Sequence, residues 1–242
     1  MNIKKNLGNL IKKFGLQVID YNLYTSPSLQ ARKLLDYHKI ETIIDVGANT
    51  GQYAMDLRSD GYGGKIISFE PLSRVYSQLL KNSRNDNNWI VADRMALGSR
   101  DGTIDINVSA NSVSSSVLPI MESHTGSAPE SAYIGTENVP VRRLDSISET
   151  LGLTGNIFIK VDVQGYELDM LKGASDLLKK TKGLQLELSF LELYKGQPLT
   201  EDMQKYLKDI GFELYAVFPA FIDESSGRLL QADGIFFRKQ PV

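Results

Sequence analysis

Cysteine is absent from the 242 residues, which excludes disulfides, thiolate zinc sites and cysteine nucleophiles and favours a cytoplasmic address over a secreted one. Basic charge is not in excess either. The 27 Lys and Arg face 29 Asp and Glu, a formal net charge of −2, so the chain lacks the overall positive field that nucleic acid requires. No apolar run approaches the roughly 18 residues needed to cross a bilayer, and the N-terminus has no long apolar h-region, so a soluble protein is expected. What remains is ordinary globular material. With 42% hydrophobic and 23% charged residues, the chain is long enough for one substantial α/β core.

The pattern along the chain divides it at about residue 40. Residues 1–40 read as an N-terminal helical extension. Ile3, Leu7, Leu10, Ile11 and Phe14 share one helical face, with Lys4, Lys5, Lys12 and Lys13 around it. Such a basic amphipathic helix suits packing against the domain, a homo-oligomer contact or peripheral contact with a membrane surface. A second helix is predicted over 28–39, started by Ser26 and Pro27. From 41 to 242 strands and helices alternate, as in a mostly parallel sheet covered on both faces. Strands are predicted near 42–46, 65–69, 89–92, 156–162 and 183–190, and helices near 51–60, 72–84, 166–180 and 200–210. Added strands are expected at 102–109 and 138–142. The runs 212–218 and 229–238 flank Asp223-Glu224-Ser225-Ser226-Gly227 and predict an antiparallel hairpin. Periodicity fails over 110–140, where seven serines fall within 112–131, and this stretch is expected to be a substrate lid loop.

The most informative run is Thr42-Ile43-Ile44-Asp45-Val46-Gly47-Ala48-Asn49-Thr50-Gly51, a β-branched strand feeding a glycine turn that opens a helix. A dinucleotide fingerprint needs glycine where Asn49 stands. The acidic-first spacing Asp45-x-Gly47-x-x-x-Gly51 instead resembles motif I of S-adenosyl-L-methionine (SAM) dependent methyltransferases. Cofactors of open α/β sheets sit beyond the carboxyl ends of the strands. Asp45 is therefore a candidate for the ammonium of the methionyl tail or a brace for the loop, with the backbone of Gly47, Asn49 and Gly51 lining the tail's carboxylate. Glu70 ends the second strand in Ser68-Phe69-Glu70-Pro71, where a carboxylate accepts from both ribose hydroxyls, although a helix cap competes. Met95 and Ala96 are candidates for the adenine.

A second run is Lys160-Val161-Asp162-Val163-Gln164-Gly165-Tyr166-Glu167. Strand alternation puts Lys160 and Asp162 on one face, and Gln185, Glu187 and Ser189 alternate likewise on the next strand. A buried pair between Lys160 and Glu187 is expected. Asp162, at a strand end that should face the cofactor, is a candidate cofactor contact and also the first candidate for a base that removes an acceptor's proton, with Glu167 the second and His124 in the serine-rich loop an outside one. Ser114, Ser115, Ser116 and Glu187 are candidates for binding the acceptor. Asp162 with Glu187 offers two ligands to a divalent cation, but the neighbouring lysine argues against it and no metal is assigned.

In combination these runs, with Ala96-Leu97-Gly98, Leu144-Asp145 and Gln231-Ala232-Asp233-Gly234-Ile235-Phe236, resemble the FkbM family of SAM-dependent methyltransferases over about residues 40–238. The resemblance implies a Rossmann-like class I methyltransferase fold whose mostly parallel seven-stranded sheet ends in an antiparallel C-terminal hairpin. It further implies SAM as cofactor and O-methylation of a hydroxyl on a glycan or secondary metabolite, a small-molecule or glycan acceptor rather than nucleic acid. The family pattern usually has Glu at the position of Gln164. Two other readings compete: a non-catalytic SAM- or nucleotide-binding protein, and an NAD-dependent oxidoreductase, which the glycine spacing and the lack of a Tyr-x-x-x-Lys pair disfavour. An amino-group enzyme acting on nucleic acid would need a polar-Pro-Pro-aromatic motif where Asp162-Val163-Gln164-Gly165 stands.

Overall fold

The computed structural model describes residue 15 and residues 20–239. The basic amphipathic segment at residues 3–14 lies outside the described residues. The first described helix, α1 (Pro27–Tyr37), starts where expected: Ser26 Oγ accepts from Leu29 N–H at 3.2 Å, and Pro27 takes the first turn. Strands β1 (Ile40–Val46), β2 (Lys65–Phe69) and β3 (Trp89–Val91) follow, separated by helices α2 (Gln52–Ser59) and α3 (Ser73–Ser83). Next come β4 (Ala96–Leu97), β5 (Gly102–Ser109), the short helix α4 (Glu122–Thr125) and β6 (Tyr133–Arg142). The chain then runs through α5 (Leu144–Ile147), β7 (Asn156–Val161), α6 (Glu167–Lys172), α7 (Ser175–Leu178), β8 (Thr181–Ser189), α8 (Thr200–Asp209), β9 (Phe212–Asp223) and β10 (Arg228–Arg238).

Seven strands form the main sheet in the order β3-β2-β1-β7-β8-β10-β9. The first five are parallel, and β10 runs antiparallel to both of its neighbours, so the hairpin closes the sheet with β10 inserted between β8 and β9. Alternate residues divide between the two faces. Ile44, Val46, Ile159 and Leu186 pack with Met170, Leu177 and Met203 of α6, α7 and α8, whereas Ile43, Ile66, Phe158 and Phe237 pack with Leu35 of α1, Ala54 of α2 and Leu79 of α3. Among the described residues no helix is long and apolar enough to cross a membrane.

Three expectations shift. The single helix predicted over 166–180 is two, because Gly173 lies against the backbone of Gly98, where a Cβ would come within 1.9 Å of the Gly98 carbonyl oxygen. The chain therefore restarts at α7, whose first amides are capped at a distance by Asp145, which accepts from Asp176 N–H (3.1 Å) and Leu177 N–H (2.9 Å). Strand β6 begins at 133 rather than 138; its first residues are polar or exposed, so no alternation betrays them. The irregular part of 110–140 is accordingly 110–132. Finally, β4, β6 and β5 form a separate three-stranded sheet. Its inner face (Ala96, Ile106, Val139, Val141) packs on Leu72 and Val75 and supports one side of the cavity described next.

Candidate active site

Beyond the carboxyl ends of β1, β2 and β7 lies a cavity of about 350 Å³, within the range of cofactor sites. Its floor follows from strand register. Asp45 is paired with Ser68 of β2 and Lys160 of β7, and Lys160 with Gln185 of β8, so one row reads Ser68, Asp45, Lys160, Gln185, the first three buried. A charged row across the middle of a sheet survives only if its members satisfy one another. Here Trp89 Nε1–H donates to Ser68 Oγ (2.9 Å), Ser68 Oγ–H to Asp45 Oδ2 (3.2 Å), and Lys160 Nζ lies 3.3 Å from Asp45 Oδ1 and 3.5 Å from Asp162 Oδ2. Burial opposes the Lys160 charge, but Asp45 and Asp162 more than offset it and raise its pKa. Burial likewise raises Asp45, against the pull of Lys160. Above the lysine sits the Tyr53 ring of α2, 5.6 Å from Nζ, its hydroxyl donating to Gln185 Oε1 at 3.2 Å.

The expected Lys160–Glu187 pair does not form. The β7·β8 register places Lys160 against Gln185 and ends at Val161, which leaves Glu187 beyond the reach of the ammonium and opposite Asp233 of β10. Glu187 accepts instead from Gln164 Nε2–H (3.0 Å) and Gln231 Nε2–H (2.7 Å), behind the cavity wall.

The loop after β1 is tied to the end of β2. Gly47 and Ala48 N–H donate to the Phe69 carbonyl, Asn49 N–H to Glu70 Oε2 (2.8 Å), Thr50 N–H to Asn49 Oδ1 (2.8 Å) and Gly51 N–H to the Ala48 carbonyl. These amides are thus used by the end of β2 and by the loop itself. The N-terminus of α2 has no side-chain cap, and Gln52 and Tyr53 of its first turn line the cavity. Gly47 must be glycine on two counts: φ is +75°, and a Cβ would lie 1.9 Å from the Asp162 carbonyl oxygen. Asn49 takes φ +49° and lines the cavity with Gly47, while Gly51 turns away to pack on Trp89 and Leu79.

Glu70 stands at the end of β2 with only 4% of its surface exposed. Oε1 accepts from Leu72 N–H and Oε2 from Asn49 N–H, both at 2.8 Å, so it starts α3 and ties it to the β1 loop. Burial pushes its carboxyl up to about 7 despite those bonds. Each oxygen keeps a second lone pair, and a vicinal diol offers the donors that would complete it. Phe69, Met95, Ala96, Leu97 and Val163 supply an apolar wall beside it. This combination fits adenosine.

The other candidates separate. Asp162 lines the cavity with 40% of its side chain exposed. Asp45 does not line it and is fully buried beneath the loop, as a brace. Glu167 is no exposed base: Oε1 accepts from Val163 N–H (3.2 Å) and Gly165 N–H (3.1 Å), and burial pushes it up to about 7. His124 is off the cavity altogether, edge-on to Tyr194 and Phe221 in an apolar cluster, and burial drives its pKa down to about 4. His124→Phe is therefore expected to leave turnover within about twofold, and a loss of tenfold or more in a steady-state assay would return it to the mechanism. Ser115 and Ser116 line the cavity, but Ser114 does not, its Oγ accepting from Asn111 Nδ2–H at 3.0 Å. Sequence reasoning left without a role Tyr53, Gln185 and Asp233, which all face the cavity. Gln185 and Asp233 stood in runs already singled out and Tyr53 just beyond one, and only the tertiary structure shows that they converge.

Raised carboxyls have a consequence for stability. Glu70 and Glu167, at about 7, and Asp233, at about 6, bind protons in the folded chain that they release when unfolded above their ordinary values near 4. Their contribution is complete below those ordinary values and is lost as pH rises through 6–7; neutral buried His38 and His124 oppose it below pH 6.5. The cofactor-free protein is expected to be about 1–2 kcal/mol more stable at pH 6 than at pH 8, roughly 3–6 °C in Tm. A scanning experiment with Tm equal or higher at pH 8 would contradict this.

A model of the FkbM methyltransferase domain matches residues 45–214, from the Asp45 loop to the start of β9. The chain belongs to the FkbM methyltransferase family. Its sheet and C-terminal hairpin are the Rossmann-like class I arrangement, and its cofactor is SAM. The chain is 29% identical to the 2-O-methyltransferase NoeI of Sinorhizobium fredii over 192 residues, 75% of this chain and 76% of the relative. It is 26% identical to Methyltransferase 1 of Beauveria bassiana over 145 residues, 55% of this chain and 58% of that one. Among solved structures, it superposes on the methyltransferase domain of bacterial CtHen1 with TM-score 0.49 at 8% identity, covering 90% of this chain and 100% of that chain. A Streptococcus agalactiae protein of the NADB-Rossmann superfamily gives 0.47 at 17% identity, covering 92% and 72%.

Proposed function

We propose that this FkbM methyltransferase methylates a hydroxyl of a glycan or other small-molecule acceptor, with Asp162 receiving the hydroxyl proton. One observation carries the reading. Of the carboxylates at the strand ends, Asp162 is the one that is both substantially exposed to the cavity and oriented by fixed neighbours, Lys160 at 3.5 Å and Gln164, whose Nε2–H donates to Oδ1 at 2.7 Å. Bound SAM supplies an electrophilic methyl group. In this reading Glu70 holds the ribose, the α2 N-terminus faces the methionyl carboxylate, and Met95, Ala96 and Leu97 flank the adenine. Asp45 acts at one remove, by fixing Lys160. Catalysis by the chain then consists of holding the acceptor oxygen near Asp162 in a water-poor space. Gln185 and Asp233 offer hydrogen bonds to further hydroxyls of the acceptor, whereas the Ser115 and Ser116 hydroxyls are already donated to the Ser112 and Gln164 carbonyls, and segment 110–132 is the part that would close over it.

A relative named as a 2-O-methyltransferase supports an oxygen acceptor. The test is methyl transfer from 13C-methyl SAM to a panel of saccharides, phenols, amines and carboxylic acids, read by NMR. A methyl ether is expected. Label found only on nitrogen or carboxylate would overturn the hydroxyl assignment, and no binding of SAM or its demethylated product by calorimetry at millimolar ligand would overturn the adenosyl site.

A further inference from the structure

The turn after β7 has a backbone conformation that its residue type resists. Gln164 has φ +54° and Gly165 φ +92°, and for a non-glycine residue this region is sterically disfavoured. Such a conformation persists only where its surroundings over-determine it. Ser116 Oγ–H donates to the Gln164 carbonyl at 2.6 Å, and Glu167 fixes the amides on either side. The side chain is equally committed. The Tyr194 hydroxyl donates to Gln164 Oε1 at 2.6 Å, and the NH2 group faces the other way, where two carboxyl groups require a donor. There it donates to Asp162 Oδ1 at 2.7 Å and to Glu187 Oε2 at 3.0 Å. One neutral amide therefore stands between two carboxylates and gives each a single N–H. Tyr194 is fully buried, with its hydroxyl also 3.2 Å from the Ser114 carbonyl.

We infer that Gln164 is a positioning residue for Asp162: it holds that carboxylate toward the cavity and links its pose to the seating of segment 112–118 through Ser116 and Tyr194. The inference rests on Asp162 being the acceptor-facing base. A carboxylate there, as the family pattern usually has, would place three carboxyl groups around one point, where they cannot all be ionised together and at least one must hold a proton. An apolar side chain would leave Asp162 and Glu187 without a donor between them.

The test does not need the acceptor. In protein labelled with 13Cγ-aspartate, the Asp162 resonance is assigned by its loss in Asp162→Asn, and its titration midpoint is compared among variants. Gln164→Glu is expected to move the midpoint up by about one pH unit, and Gln164→Met and Tyr194→Phe by about half a unit, each with the circular dichroism of the parent. Tyr194→Phe deletes one oxygen and guards against a Gln164 variant that fails to fold. A midpoint unmoved within about 0.2 units in the folded variants would overturn the inference. Turnover of Asp162→Asn tests the underlying reading separately. If that variant is fully active while the midpoints shift, the base assignment falls and the clamp on Asp162 stands; if it is inactive and the midpoints stay fixed, the clamp falls alone.

Discussion

Asp162→Asn is expected to lower turnover at saturating SAM by about 10²–10³-fold while changing SAM affinity less than about threefold, as fits loss of a general base. The substitution keeps the shape of the side chain, and its carbonyl oxygen still accepts from Gln164 Nε2–H, the bond that Asp162 Oδ1 makes at 2.7 Å. What it removes is the capacity to take a proton. Lys160 loses one of two anionic neighbours but keeps Asp45, at 3.3 Å, and its hydrogen bond to the Gly47 carbonyl at 3.2 Å, so the floor of the site stays intact. Calorimetry with SAM and a steady-state assay on one preparation separate the two effects. Undiminished turnover removes Asp162 from the chemistry, and affinity falling in step with turnover marks it as a cofactor ligand.

Glu70→Ala acts on the other term. Hydrogen bonds to a charged group contribute about 1.5–3 kcal/mol each, and a ribose contact is made alike in ground and transition states. With two such bonds, SAM affinity is therefore expected to fall by roughly 100-fold or more, with turnover at saturation within about fivefold. Part of that loss passes through the loop, because Glu70 also accepts from Asn49 N–H and Leu72 N–H. Glu70→Gln keeps one acceptor for those amides and should fall between the two. Unchanged affinity in Glu70→Ala would leave the carboxylate as a helix cap only.

That both residues stand at the cavity was legible in the sequence, for the same reason. Glu70 and Asp162 end β-branched strands in turns, and the carboxyl ends of parallel strands are where a crevice must open. Local signals likewise sufficed for α1, whose Ser26-Pro27 start is a property of adjacent residues, and for the C-terminal hairpin, announced by the turn from Asp223 to Gly227, where Asp223 accepts from Ser225 and Ser226. Other features were hidden because their cause is distant in sequence. The break between α6 and α7 comes from Gly98, whose backbone Gly173 touches across 75 positions. His124 looked like a loop histidine until Tyr194 and Phe221 were seen to enclose it.

By itself, the order of residues determined the alternating α/β plan, the glycine turn after Asp45 and the acidic ends of the second and fourth parallel strands, since each depends on spacing within a single element. Only the tertiary structure decided the partners: Lys160 with Asp45 and Asp162 rather than Glu187, Gly51 against Trp89 rather than a ligand, and Tyr53, Gln185 and Asp233 around one cavity. The physical reason is register. Periodicity tells which face of a strand a side chain occupies, but a shift of two residues between neighbouring strands preserves every face while exchanging every partner.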